Sequence, residues 1–463
     1  MHMEHPTGLP GRGTTLMVSA VLATALSGCL SSSDSDSSDG TIPGDDNGAT
    51  GEMLPVVFVH GGAGSAAQYR TQAMRLDSND YPRELFHAFE YHGVAPHDPE
   101  ELDAFVDEVL EAAEADQIYL IGHSMGTSVG APTGYLDDPD RAAKVAKYIG
   151  IDGFASEACP GGVPCMGIFD NDNEDSQLGE NNVHLPHQEH VEVATSLESF
   201  QAQYEFLLGE SPETGLVPEE EAVDISGRAV HFPENVGADG ATLEIREIDG
   251  QSGARLDDEP VYTHEIDADG DWGPASLDPE AHYEIVLKRE GQADHHFYHQ
   301  PFERSSDFVR LNTSGEESAI RDNTNTGDDH SALIVTRERE WRGAYDEDGN
   351  DILEIETTSP QWGDQAPVNV IVEEIGNSEI ALHLHDSEGE PAISSLNLLD
   401  WFPDQAFQTG VDVYMPATTP PDGTVSLVSQ PRGDADNPQE INVPNWASSE
   451  HRVSVIFNDY VNE

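Results

Sequence analysis

Positive charge is what this chain has least of. Twenty lysines and arginines face 89 aspartates and glutamates, a formal net charge of −69, and Lys144, Lys147 and Lys288 are the only lysines. A surface this negative is repelled by phosphate backbones and anionic headgroups, which excludes nucleic-acid binding and polybasic membrane docking. Long apolar runs are missing too. The strongest, Thr14 to Leu26, has thirteen residues, whereas a spanning helix needs about 20. Aromatic residues make up 7% and apolar residues 37%, but they arrive in spaced clusters, which excludes wholesale disorder. A length of 463 residues is too great for one core and implies two or three domains.

The acidic residues are scattered through every segment and not gathered in a tail. This resembles the dispersed acidity of proteins from salt-loving organisms. At about 1 M salt the screening length falls to roughly 3 Å, against roughly 10 Å at 0.1 M, so self-repulsion is suppressed. The fold is therefore expected to need salt, and full stability in dilute buffer would contradict that.

The run Thr14 to Leu26 follows Arg12 and ends in Leu26-Ser27-Gly28-Cys29. It has the length of a signal-peptide core, and the small residues before Cys29 resemble a bacterial lipoprotein processing site. That resemblance implies a signal peptide over 1–28, a lipid-modified Cys29 and membrane contact only through that anchor. An ordinary secretory cut nearby is the alternative, and either way the chain is exported. Residues 29–52 are a Ser/Gly/Asp tether with nothing to bury. Cys159 and Cys165 flank the turn-forming Pro160 to Pro164, and in an oxidising compartment so short a loop is expected to close as a disulfide. No further ligands stand nearby at metal spacing.

Residues 53–209 alternate between short apolar runs, such as Val56 to Val59, Ile118 to Ile121 and Tyr148 to Ile151, and helical patterns, clearest over Pro99 to Ala115. That alternation implies a mostly parallel sheet with helices on both faces. A last helix follows the capping pattern Thr195-Ser196-Leu197-Glu198 and stops at Gly209. After an acidic linker, 210–223, the texture changes to many short alternating segments separated by Gly, Pro, Asn and Asp. These predict an all-β half of two β-sandwich domains, 224–312 and 331–463, joined by the polar stretch 313–330. No internal repeat is apparent.

Gly122-His123-Ser124-Met125-Gly126 comes directly after the strand ending at Ile121. A serine on a sharp strand-to-helix turn presents its hydroxyl above the sheet, and small neighbours let the turn form. Upstream, His60-Gly61-Gly62-Ala63-Gly64 follows Val56 to Val59, and glycines there allow backbone amides to turn toward a developing oxyanion. On these two motifs the chain resembles the lipases and esterases of the α/β-hydrolase superfamily. The layout, a compact hydrolase domain and then a β-rich half, is similar to the two-domain lipases of archaea and bacteria. The resemblance implies a Ser, acid, His order. Ser124 is then the nucleophile, with the amides of Gly62 and Met125 as oxyanion donors. The base comes from His184, His187 and His190, of which His190 best matches the lipase pattern. Asp152, after the strand next to that of the nucleophile, is the expected acid, with Asp170 and Asp172 as the alternatives.

The expected activity is hydrolysis of acyl esters, with no cofactor and no metal. The other class is a non-catalytic surface lipoprotein whose β half binds a glycan, polymer or partner. The runs Asp267 to Asp271, Asp346 to Asn350 and Asp170 to Asp175 lack the full spacing of an EF-hand and read as Asx turns. His295, His296 and His299 read as strand residues, with His296 on the face opposite the other two. The sequence leaves oligomeric state, acyl-chain preference and the role of the β half open.

Overall fold

The computed structural model describes residues 53–460, apart from 171–174, 316–318, 344–348, 372–378, 387–395, 397, 403–404 and 434–435. Cys29, Asp172 and most of the loop Asp346 to Asn350 lie outside the described residues.

The first half is a six-stranded sheet of β1 (Val56–Val59), β2 (Phe86–Phe89), β3 (Ile118–His123), β4 (Val145–Ile151), β5 (Cys165–Phe169) and β6 (Asn181–His184), ordered β2-β1-β3-β4-β5-β6. All of its pairings are parallel. The strands are apolar on both sides because both faces are covered. Val56 and Phe58 join one core with Tyr69, Phe200 and Tyr204, while Val57 and Val59 join another with Leu102, Val106 and Val109. The helices are α1 (Arg70–Asp77), α2 (Pro99–Ala112), α3 (Pro139–Ala142), α4 (Glu192–Thr195) and α5 (Leu197–Leu208). The Asp98 side chain caps α2 through the Glu100 amide, and Ser196 caps α5 through the Ser199 amide. Gly209, at φ 78°, ends α5 in the left-handed region that glycine adopts freely. This is an α/β-hydrolase sheet.

An all-β half follows. An eight-stranded sheet runs in the order Tyr262–Glu265, Thr242–Ile248, His282–Lys288, Asp294–His299, His451–Ile456, Ala332–Trp341, Glu379–His385, Gln408–Asp412. Two four-stranded sheets cover it, one including Val223–His231 and the other Thr424–Gln430. Strand alternation assigns them to opposite faces: Phe297 packs into the core with Ile225 and Val309, whereas its neighbour Tyr298 packs into the core with Leu427 and Val443. The two sandwiches thus share a sheet. Its middle is a parallel seam in which the last strand, His451–Ile456, lies between Asp294–His299 and Ala332–Trp341.

Candidate active site

The chain leaves β1 toward one edge of the sheet and β3 toward the other, so a crevice opens beyond their carboxyl ends. Both glycine-bearing loops rise there. Ser124 follows β3 with φ 51°, a left-handed conformation that costs a non-glycine residue on the order of 1–3 kcal/mol and persists where the surroundings enforce it. Gly122 and Gly126 leave the room that this tight turn needs. A Cβ on Gly122 would meet the Gly126 carbonyl oxygen at 2.7 Å, and one on Gly126 would meet that of Val59 at 2.2 Å. The helix expected beyond the serine is a 3-10 stretch, Ser124–Gly130. It ends there because Ala131 precedes a proline and is extended.

Ser124, Asp152 and His190 are brought together. The Nε2 of His190 lies 2.9 Å from the Ser124 Oγ, and its Nδ1 is hydrogen-bonded to the Asp152 carboxylate. Because Nδ1–H donates to the carboxylate, Nε2 is left as the acceptor for the serine hydroxyl. Asp152 directly follows β4 at φ 44°, and its carboxylate also accepts from the Asp170 amide at 3.2 Å. Asp170 therefore contributes a backbone N–H that orients Asp152, and its own carboxylate stands close to the pair. Burial alone pushes the Asp152 carboxyl up, but the hydrogen bond and charge of His190 hold it below its ordinary value. Burial pulls His190 down, and the hydrogen bond and charge of Asp152 more than reverse this, so the imidazole ends above its ordinary value. A hydroxyl, an imidazole and a carboxylate in that chain can pass one proton from oxygen to nitrogen while the carboxylate stabilises the imidazolium.

His184 and His187 are not part of this arrangement. His184 points its Nε2 at the Ser176 carbonyl, 2.9 Å away, and the His187 carbonyl accepts from Arg342. The His60 loop lies against the serine, since a Cβ on Gly61 would sit 3.0 Å from the Ser124 Cβ. At Gly62 a Cβ would meet nothing within 4 Å, so the loop is open on that side. Met125 is in the first turn of the 3-10 helix, where an amide has no acceptor within the helix. Cys159 and Cys165 form a disulfide that ties the loop after Asp152 to the first residue of β5.

Several residues that position the site carry no sequence signal of their own. His123, buried inside the serine motif, accepts from the Gln68 Nε2 at 2.6 Å on its Nδ1 and donates from Nε2 to the His190 carbonyl at 2.8 Å. Burial, with His190 adding to it, lowers its pKa to about 3, so it stays neutral and keeps that tautomer. The Oε1 of Gln68 in turn accepts from the Gly61 amide at 3.3 Å, which ties the early loop to the histidine loop.

The β half reaches the site at three points. Glu340, fully buried, takes the amides of Val191 and Glu192, the second at 3.0 Å, directly after His190. Phe407 stacks over the His190 ring with centroids 6.4 Å apart. Asn235 donates to the carbonyls of Tyr91 (2.7 Å) and Gly64 (3.3 Å), behind the early loop.

Residues 221–316 match the family model of the lipase C-terminal domain. A second family model, also of a C-terminal domain, matches residues 319–461. No curated protein matches significantly. Among solved structures, a Listeria innocua gene product is 13% identical over 35% of this chain and 97% of its own, with a TM-score of 0.28. An extracellular α/β-hydrolase from a Paenibacillus species is 20% identical over 22% of this chain and 42% of its own, at 0.17. A Bacillus licheniformis lipase in its propeptide form is 10% identical over 86% of this chain and 95% of its own, at 0.27. Likenesses this loose specify no activity. The lipase C-terminal domain behind a parallel sheet makes the chain similar to the two-domain lipases.

Proposed function

We propose that the protein is a serine carboxylester hydrolase that works through an acyl-enzyme on Ser124. The observation that carries this is the unbroken contact from the Ser124 Oγ through both nitrogens of His190 to the carboxylate of Asp152. His190 takes the serine proton as Oγ attacks the ester carbonyl, and the amides of Gly62 and Met125 stabilise the oxyanion. The imidazolium then hands that proton to the departing alcohol. Water repeats the cycle on the acyl-enzyme and releases the acid. Acyl esters are the substrate class that a lipase-like domain pair suggests. Export, with tethering through a lipid on Cys29, is part of this proposal and rests on the amino-terminal pattern alone.

The test is hydrolysis of p-nitrophenyl esters of graded acyl length in about 1 M salt, a condition chosen to screen the acidic surface. Ser124→Ala is expected to lower kcat by about 10⁴-fold or more, as removal of a nucleophile does in an intact site. A fluorophosphonate should label the parent at Ser124 and leave the variant unlabelled. An unchanged rate in the variant moves catalysis elsewhere. No rate and no labelling in the parent favours the binding module.

A further inference from the structure

A second cluster of chemistry-bearing side chains lies in the β half and plays no part in ester hydrolysis. Asp294 and His296 are two residues apart on one strand and so share a face. Asp294 is the register partner of His451 on the parallel neighbour. One ligand atom from each of the three lies within 4.8 Å of the other two. The Nε2 of His296 is 2.9 Å from the Nδ1 of His451. Two nitrogens on one zinc ion, each at about 2.0–2.1 Å, are separated by roughly 2.9 Å at a right angle and roughly 3.3 Å at the tetrahedral angle.

We propose that Asp294, His296 and His451 form a binding site for a divalent transition metal of the zinc class. Two imidazoles with one carboxylate favour Zn²⁺ or Co²⁺ over calcium or magnesium, which prefer all-oxygen sites.

The surroundings are those of a metal-ligating histidine. Such a ring usually gives its other N–H to a carboxylate, which fixes its orientation. Here the Nδ1–H of His296 donates to Glu284 at 2.7 Å, leaving Nε2 as the lone pair that faces the cluster. Glu284, fully buried, is itself held by the Tyr298 hydroxyl at 2.7 Å and by the Arg255 Nε at 2.6 Å. Trp446 stacks on His296 with centroids 4.6 Å apart and donates its Nε1–H to Tyr298 at 2.9 Å, so the ring is fixed on its face as well. Because the His296 Nδ1–H is given to Glu284, the contact between His296 Nε2 and His451 Nδ1 puts the His451 proton on Nδ1, and ligation needs only that this proton move to Nε2 of the same ring.

The placement gives the ion a task. Asp294 and His296 lie within residues 221–316 and His451 within 319–461, so one ion would pin together the parallel strand pair where the two matched regions meet. That is a structural role, separate from the serine.

Co²⁺ is the probe, titrated into the full-length protein in about 1 M NaCl so that adventitious binding to exposed carboxylates is screened. The parent should develop a visible ligand-field absorption that saturates at one equivalent and is bleached by Zn²⁺, and Zn²⁺ should raise its Tm. His451→Gln should lose the absorption and the Tm shift while its ester hydrolysis and far-UV circular dichroism match the parent. Asp294→Asn, at a half-exposed position, takes its place if that variant is misfolded. No saturable absorption in the parent, or an undiminished one in the folded variant, overturns the site. Neither outcome bears on Ser124, whose own assay stands apart.

Discussion

Ser124 and His190 meet at 2.9 Å, yet they are held in opposite ways. Ser124 is held locally: two glycines within two positions, the carboxyl end of β3 and the hydroxyl of Thr127, 2.6 Å from the serine carbonyl, fix its backbone. His190 is held from afar. Its carbonyl is bonded to His123, the two amides after it to Glu340, and its ring lies beneath Phe407. The nucleophile is thus a property of one strand and its turn. The base depends on the β half being docked. If so, changes on the hydrolase side of the seam should abolish the chemistry, and changes on the β side should weaken it or loosen the seam.

Asp152→Asn should have the largest effect. An amide in place of the carboxylate leaves the fold intact but favours the wrong imidazole tautomer, a change worth about 10⁴-fold in kcat in a triad of this kind. Asp170→Asn should stay close to the parent, because Asp170 orients Asp152 through its backbone amide, which the substitution retains. Steady-state kinetics on the two variants decide between them, and the reverse ranking would make Asp170 the acid.

Next is the seam itself. Seventeen arginines are all that offset the acidity besides three lysines, and four of them stand at the histidine loop and the strand behind it. Arg339 and Arg432 both reach Glu192 at 2.7 Å, Arg337 and Arg432 grip the buried Asp351 at 3.0 and 2.7 Å, and Arg342 pairs with Glu189. Burial would push the Asp351 carboxyl up, but Arg337 and Arg432 hold it far below the usual carboxylate range. The stability it lends is present above the ordinary carboxylate pKa and is lost as pH falls through its depressed folded value. Asp351→Asn removes the buried carboxylate that Arg337 and Arg432 share and leaves them Asp459 and Glu192, so it should cost about 1.5–3 kcal/mol in urea unfolding near pH 7. A loss below about 1 kcal/mol would mean that the seam is not closed by these ions.

The same contrast explains what could be read from sequence. Five of the six parallel strands, Ser124 and the change of texture near 210–223 are written in neighbouring residues, as apolar runs, a glycine-flanked serine and an acidic linker, whereas β6, Asn181-Asn182-Val183-His184 and partly exposed, carries no such run. Asp152 and His190 came from chain order in the resembled family, and their meeting joins positions 38 apart. Glu340, Asn235 and Phe407 were illegible, because each meets the site from more than a hundred residues away in the chain. So was the cluster in the β half. Strand alternation separates His296 from His295 and His299 in the sequence already, and His295 does reach Thr313 and Ser454 on the opposite face. Register brings His296 to Asp294 and His451 instead. The run Asp267 to Asp271 does form a turn, with the Asp267 carboxylate accepting from the amides of Asp269 and Gly270.

Glu340→Ala tests the support of the base more gently. It leaves the Val191 and Glu192 amides without their buried acceptor, which should cost about 1–3 kcal/mol of stability. His190 is then free to shift, and a displacement near 1 Å can cost up to about 10²-fold in rate. The loss should fall on kcat with KM little changed, since nothing on the substrate side is touched. A loss confined to KM would make Glu340 part of the binding surface.

The smallest effect is also the most specific. His190 must be neutral to accept the serine proton, so kcat/KM should fall as pH drops through its pKa. Burial lowers that pKa, but Asp152 outweighs it, and the charges of Glu340 and Asp170 push the same way. The acid limb of the parent should therefore lie above the ordinary histidine value of about 6.5. Burial raises Glu340 itself to about 7, against the opposing pull of the Val191 amide, so its negative charge is present only in the upper part of that limb. Glu340→Gln removes the charge and keeps an acceptor oxygen for one of the two amides. The limb should then move toward acid by a fraction of a unit, while the plateau falls less than in Glu340→Ala. A merely structural Glu340 would lower the plateau in both variants and leave the limb where it was. A pH profile of kcat/KM for parent and Gln variant therefore separates an electrostatic contribution of the β half to the base from simple propping of its loop.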